Sequence, residues 1–311
     1  MALSLTLMSR LCSMMLMVLV GTLAVKIGIL KLSDTKAISA LTVYILQPCL
    51  IFNAYQIEIN KERIFGFVGC LVFGCCVYVV WIILARALRR PLHLTPVDEA
   101  SLVYSNVGNL VLPLVAMTLG EEMVFYASAL QVPFNLLVWS HGASTVRGEN
   151  KLDIKKVITN PNMIAMLLGV ISLLLRFRMP EIIATSVSSL GSMVGPMSML
   201  MVGMVIAGKD VKTLVKRPRA YGVLFGRLLV FPMLAIVLLY LSGVVGRYPE
   251  LAPILLVTVM SLSAPPASTI SQLAVLYDVQ PLDASAMNVL GMVFCIITMP
   301  LCIFFYQWLF L

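Results

Sequence analysis

The residues able to do chemistry in this chain stand inside long apolar runs. Asn106-Val107-Gly108-Asn109, with Pro113 following, sets two carboxamides beside a glycine, while Ser261, Ser263, Ser268 and Thr269 surround the pair Pro265 and Pro266. Gln131 and Asn288 add further amides, and Arg227 adds a cation well inside a run. Amides and hydroxyls donate and accept hydrogen bonds at fixed points, which suits holding a polar solute more than breaking a bond in it. No nucleophile pairs with a base in this pattern and no set of His, Cys, Asp or Glu has metal-ligand spacing, so an enzyme is not expected. Cys12, Cys49, Cys70, Cys75, Cys76, Cys295 and Cys302 lack the paired CxxC arrangement of a zinc or redox centre and read as apolar packing.

The elements that must position these groups follow from composition. Of 311 residues, 60% are hydrophobic and 12% charged, with a mean hydropathy of +1.01. Soluble domains carry roughly a quarter charged residues, so a soluble core does not account for this chain. A span takes about 20 apolar residues, which leaves room for about ten spans and no sizeable soluble domain. The expected class is an all-α membrane protein with spans near 11–30, 37–55, 64–87, 97–118, 123–146, 160–177, 182–207, 218–243, 250–276 and 283–309. Arg10 before the first run raises the question of a signal peptide, but no small-x-small cleavage site with a polar start follows, so that run is expected to be the first span. The formal charge of +8 sits in short basic clusters between runs, which fits membrane anchoring better than nucleic acid. Six Lys and Arg fall on the side of the N-terminus and fifteen on the other, predicting both termini outside, the segment 147–159 in the cytoplasm, and a place in the cell membrane. Tyr306 and Trp308 suit an outer-interface belt.

The linker 148–159 divides the chain into 1–147 and 160–311, five expected spans each. Ala127-Ser128-Ala129-Leu130-Gln131-Val132 returns as Ala284-Ser285-Ala286-Met287-Asn288-Val289, and the same shift of 157 lays Asn106-Val107-Gly108-Asn109 on Ser263-Ala264-Pro265-Pro266. Both are helix breakers, and an odd number of spans per half inverts one half relative to the other. Backbone groups released from a helix cannot be left in hydrocarbon, so registered breaks in the fourth and ninth spans predict a transport site where half-helix ends meet near the midplane. Simple kinking by Gly and Pro is the plainer reading. Arg227 admits two readings, a partner for an anionic solute or a side chain that snorkels to the headgroups or bonds a neighbouring helix. Gln47, Asn53, Asn135 and Asn288 read as glue between helices, and the methionines as adaptable packing. By these boundaries no Asp or Glu lies deep in a span, and Glu99 and Glu121 sit near ends. A carboxylate proton relay is therefore not expected; the open alternatives are facilitated movement and coupling to a cation held by hydroxyls and carbonyls.

From Asn106 through Pro113 the chain resembles the auxin efflux carrier family, whose fourth span carries Asn-x-Gly or Asn-Thr, an apolar stretch and Pro. The likeness extends to Tyr44-Ile45-Leu46-Gln47-Pro48-Cys49-Leu50-Ile51-Phe52-Asn53 and to the last span after Tyr277-Asp278-Val279-Gln280-Pro281, so it covers nearly the whole chain. It implies a compact, bacterial-type carrier on the fold of bile-acid sodium symporters and sodium/proton antiporters. Spans 1, 2, 6 and 7 would be a scaffold and spans 3–5 and 8–10 a transport unit, with broken spans 4 and 9 crossing at the substrate. The resemblance lays Asn106 on the family's substrate-contacting Asn and Gln131 on a pocket-lining position. The expected substrate residues are thus Asn106, Gly108, Asn109, Pro113, Gln131, Ser263, Pro265 and Pro266, with Ser261, Ser268, Thr269, Asn288 and Arg227 open to substrate or ion. Asn109 and Val111 stand where many bacterial members have Phe and Gly, and the third span, Phe65 to Trp81, lacks the Asp or Lys of the plant carriers' support site. The implied partners are a small organic anion, such as a dicarboxylate or an indole acid, and the lipid bilayer, with a homodimer as a candidate assembly and no nucleic acid. No cofactor or metal is expected, and neither Na+ nor H+ is assigned as a coupling ion. A ligand-binding membrane sensor on the same fold is the alternative.

Overall fold

The computed structural model of the chain describes residues 2–57, 60–148, 155, 158–159, 161–208 and 218–311. The expected linker 148–159 falls largely outside the described residues, as do Lys209, Lys212, Lys216 and Arg217. Among the described residues the chain is helical, with one isolated β-bridge and no strand. The helices that matter for the site are α1 (Ala2–Lys26), α2 (Thr35–Leu41), α3 (Gln47–Ala54), α4 (Lys61–Arg89), α5 (Pro96–Val103), α6 (Leu112–Leu119), α7 (Glu121–Leu137) and α8 (Ala143–Arg147). They continue as α9 (Pro161–Leu174), α10 (Glu181–Ser192), α11 (Val194–Ala207), α12 (Pro218–Phe225), α13 (Phe231–Ser242), α14 (Ala252–Leu262), α15 (Ser268–Leu276) and α16 (Pro281–Phe310).

Among the described residues, four helical stretches are long and apolar enough to cross a membrane: Lys61–Arg89, Glu181–Met201, Arg219–Ser242 and Ala286–Phe310. A fifth is made by Glu121–Leu137 with Ser140–Arg147, bent by 40°. This is fewer than the ten spans expected, because breaks leave other apolar runs as shorter helices such as Tyr44–Ala54, Pro161–Leu174 and Pro249–Leu262. Ile83, Leu174, Leu241 and Ile297 lie on exposed faces. An outward surface this apolar belongs in lipid.

Several helices widen locally. Three of the four π-helical turns among the described residues, Thr42–Leu46, Val107–Val111 and Gly226–Val230, are each followed two residues on by a proline, Pro48, Pro113 and Pro232. A proline ring has no N–H to donate and crowds the carbonyl four residues back. Those carbonyls belong to Tyr44, Asn109 and Leu228, and the helix widens around them. The Leu228 carbonyl is met by the Cys302 thiol at 3.6 Å. Thr-Pro-Val-Asp starts α5 by the same local logic: the Asp98 N–H donates to Thr95 Oγ1 at 3.2 Å and the Thr95 N–H to Asp98 Oδ2 at 2.9 Å. That reciprocal cap satisfies orphan donors of the first turn, and Pro96 sits where its missing N–H costs nothing.

Packing then gathers the helices. α1 runs along α11 and α3 lies against α9 and α10, while α4 packs on α7 and α14, and α16 on α14 and α15. Lipid supplies little hydrophobic drive for such contacts, so close packing and interhelical hydrogen bonds of about 0.6 kcal/mol each hold them. The Thr22 hydroxyl donates to the Gly203 carbonyl at 2.9 Å, and the Tyr306 hydroxyl to the Ala252 carbonyl at 2.7 Å. Tyr306 is therefore buried in the helix bundle and not part of an interface belt, whereas Trp308 is exposed. Ion pairs join charged groups in two regions of the described residues. Arg63 pairs with Glu122 at 3.1 Å, beside the Asn53 amide on Glu121 at 3.3 Å. Elsewhere Arg219 lies 3.4 Å from Asp98, Arg89 lies 3.2 Å from Glu99, and Arg219 also donates to the His93 carbonyl. Asp98 and Glu99 are buried in the first turn of α5, where the helix dipole favours negative charge.

Candidate functional site

The two breaks lie side by side. The Asn106 N–H donates to the Pro265 carbonyl at 2.9 Å and the Ala267 N–H to the Tyr104 carbonyl at 2.9 Å, making an antiparallel bridge between Ser105 and Pro266. Main-chain groups that hydrocarbon would leave unpaired thus pair with each other. Side-chain amides follow the backbone: Asn106 Nδ2 donates to Ser268 Oγ at 3.1 Å, and Asn288 Nδ2 donates to the Pro266 carbonyl at 3.0 Å and to Ser268 Oγ at 3.3 Å. One hydroxyl oxygen at the start of α15 therefore gathers donors from α16 and from the first break.

A second amide group flanks Gly108. A Cβ built there would lie 2.9 Å from Gln131 Nε2 and closer still to Gln47 Nε2, so only a residue without a side chain lets both amides approach. Gln131 Oε1 accepts from Asn135 Nδ2 at 3.4 Å, while its Nε2 has no hydrogen-bond partner among the described residues. The reading of Gln47 as glue missed this placement; the signal that finds it is the glycine at 108, not anything in the second span. Tyr104 and Tyr78 form the neighbouring wall, which also escaped the sequence reading. The Tyr104 hydroxyl donates to the Leu137 carbonyl at 3.0 Å and sits 2.9 Å from His141 Nδ1, and the Tyr78 hydroxyl is 3.4 Å from Ser105 Oγ.

Several expected residues are not part of these clusters. The hydroxyls of Ser261 and Ser263 donate to the carbonyls of Val257 and Val259, four residues back, at 2.9 and 2.8 Å, whereas Ser268 receives donors from Asn106 and Asn288. Thr269 is half-buried beyond Ser268, and Pro113 is buried at the start of α6. The Pro265 carbonyl accepts in the bridge and the Pro266 carbonyl accepts from Asn288, and both rings pack on Gly291, where a Cβ would come within 2.8 Å of the Pro266 ring. The backbone of Asn109 belongs to the π turn; its side chain lies outside the described set.

Arg227 is placed between the alternatives left open for it. It does not snorkel: the residue is 0% exposed, its guanidinium lies 4.8 Å from the ring centroid of Trp81, and Nη1 donates to the Leu102 carbonyl at 3.4 Å. The helix-to-helix hydrogen bond is the part of the plainer reading that holds. A desolvated cation–π contact contributes about 2 kcal/mol, yet Nε and Nη2 have no hydrogen-bond partner among the described residues.

Apolar outward faces around paired helix breaks, with amides and released backbone groups enclosed, define an integral membrane protein of the transporter class. The chain belongs to the membrane transport protein family, that of the auxin efflux carriers: the family's model matches residues 6–152 and 143–303. No curated protein matches the chain.

Proposed function

We propose that the protein is a secondary transporter that moves a small organic anion, a carboxylate of the dicarboxylate or indole-acid kind, across the cell membrane by alternating access at the junction of its two breaks. The observation that carries this reading is the Ser105–Pro266 bridge with Asn106, Ser268 and Asn288 gathered on it. The groups bonded there are amides, a hydroxyl and main chain, with no carboxylate bonded to them among the described residues. α15 begins at Ser268 and turns the positive end of its dipole to the same point. That field favours an anion.

In this reading the chain makes ten spans in two inverted five-span repeats, 1–147 and 160–311, with both termini outside. α2 with α3 is the second span, α5 with α6 the fourth and α14 with α15 the ninth, the last two crossing at the substrate. Spans 1, 2, 6 and 7 are the scaffold, a grouping supported by the packing of α1 on α11 and of α3 on α9 and α10. Gln47 then reaches from the scaffold to Gly108 and Gln131 of the moving unit. Counterflow in proteoliposomes preloaded with succinate or indole-3-acetate tests the proposal. Saturable exchange of either probe supports a carrier, and binding without flux points to a sensor instead. Net anion entry should quicken under an inside-positive potential, and a strict sodium requirement would replace facilitated movement with symport.

A further inference from the structure

Arg227 lies behind the junction. It occupies the π turn Gly226–Val230, whose backbone comes so near α5 that a Cβ on Gly226 would stand 3.0 Å from Leu102 Cδ2. Among the described residues its one hydrogen bond, from Nη1, goes to the carbonyl of Leu102, the next-to-last residue of α5. The last carbonyls of a helix have no partner within it and carry the negative end of its dipole. α5 ends at Val103 and the chain runs at once into Tyr104, Ser105 and Asn106 of the bridge, so this negative end is aimed at the place proposed for the solute. Left alone, it would oppose an anion.

The rest of Arg227 is arranged to keep its charge in place. Trp81 covers the guanidinium face, Trp81 meets Tyr78 edge to face at 6.0 Å, and the Tyr78 hydroxyl reaches Ser105 at 3.4 Å, giving a continuous packed path from the cation to the bridge. No carboxylate pairs with Arg227 among the described residues, and the two acidic groups of α5, Asp98 and Glu99, are already engaged by Arg219 and Arg89. A guanidinium does not lose its proton in a protein, so the charge stays. Among the described residues no such cation caps α14, the corresponding half-helix before the second break: the Ser263 carbonyl that follows it is met by the Cys295 thiol at 3.8 Å.

We propose that Arg227 is a positioning residue that caps the C-terminal end of α5 and, by offsetting that end's negative dipole, gives the junction its preference for anions. The ligand half of this inference rests on the anion-carrier reading above.

Three substitutions separate the cap from the charge. R227K keeps the charge, R227Q keeps a donor for the Leu102 carbonyl without charge, and R227M keeps neither. Purified protein is titrated with succinate and indole-3-acetate, each against its uncharged counterpart, succinamide and indole-3-acetamide, with binding read by thermal shift. Hydrogen exchange at the amides of Tyr104 through Val107 reads the cap. Wild type should favour each carboxylate over its amide, R227K should retain that preference, and R227Q should weaken carboxylate binding about tenfold, the order of a unit charge acting over roughly 10 Å at an effective dielectric near 20. Exchange should stay slow in R227Q and quicken in R227M. A purely structural role would leave R227Q and R227K alike in charge preference, so carboxylate binding by R227Q equal to wild type overturns the inference while the carrier reading stands. A wild type that binds carboxylate and amide equally removes the anion reading itself, and the inference with it. If R227M does not fold, R227K and R227Q still decide the matter.

Discussion

The two breaks face each other across one bridge but are built from opposite chemistry. The first uses Gly108 and the amide of Asn106 and needs a π turn to re-enter α6, whereas the second uses Pro265 and Pro266, which have no N–H to give. The first therefore brings a side-chain donor and room for Gln47 and Gln131; the second brings carbonyls and a stiff chain held against Gly291. In the proposed carrier an adaptable wall facing a rigid one would separate recognition from support, and substitutions in the two walls should fail in different ways.

The largest effect belongs to Asn106. Asn106→Ala removes a buried donor and leaves its partners to be met otherwise, at a cost of about 1–3 kcal/mol, so transport at equal membrane abundance should fall about tenfold or more. Flux equal to wild type would take the first break out of the site. Gly291→Ala comes next and tests the rigid wall: a methyl would press on both proline rings, at 2.8 and 3.1 Å, and neither ring can swing aside. Overpacking of this kind costs about 1–3 kcal/mol, to be read as a lower melting temperature in detergent. An unchanged melt would mean the second break is not held as described.

Gly108→Ala should do the reverse. The atoms it meets are the ends of flexible glutamine side chains, so stability should change by less than about 1 kcal/mol while solute binding falls as both amides are displaced. Adding Gln47→Ala to Gly108→Ala reopens space, and the double-mutant cycle should show positive coupling in binding; strict additivity would argue that the two residues do not meet in the working protein. The smallest effect is expected for Asn53→Ala, whose amide reaches the exposed Glu121 at 3.3 Å and not the bridge. Surface changes of that kind stay within about 0.5 kcal/mol, and a transport defect matching that of Asn106→Ala would erase the distinction between junction and periphery.

The apolar runs, the polar breaks at Asn106 and Pro265 and the likeness to the carrier family were legible in the sequence. The cap at Thr95, Pro96 and Asp98 and the widened turns before Pro48, Pro113 and Pro232 act just as locally, within four residues of the chain, but were not singled out there. The spans were harder to count, since several apolar runs form helices shorter than a membrane crossing, while Arg219–Ser242 runs unbroken through Pro232. A hydroxyl in a sequence carries no direction; in the structure those of Ser261 and Ser263 donate to carbonyls four residues back. Burial was misread at Tyr306 and left open at Arg227, whose long, amphipathic side chains permit either an inward or an outward course.

The sequence by itself determined an all-helical membrane protein of the carrier family with polar breaks in two of its apolar runs, because lipid permits few backbone solutions and each break is written in adjacent residues. Only the tertiary structure decided which groups meet: Asn106 with Ser268 across 162 positions, Gln47 and Gln131 on Gly108, and Arg227 on the end of α5 rather than at the headgroups. Those meetings depend on how each helix is rotated against neighbours distant in the chain, and rotation is set by the packing of whole faces, which no local spacing encodes.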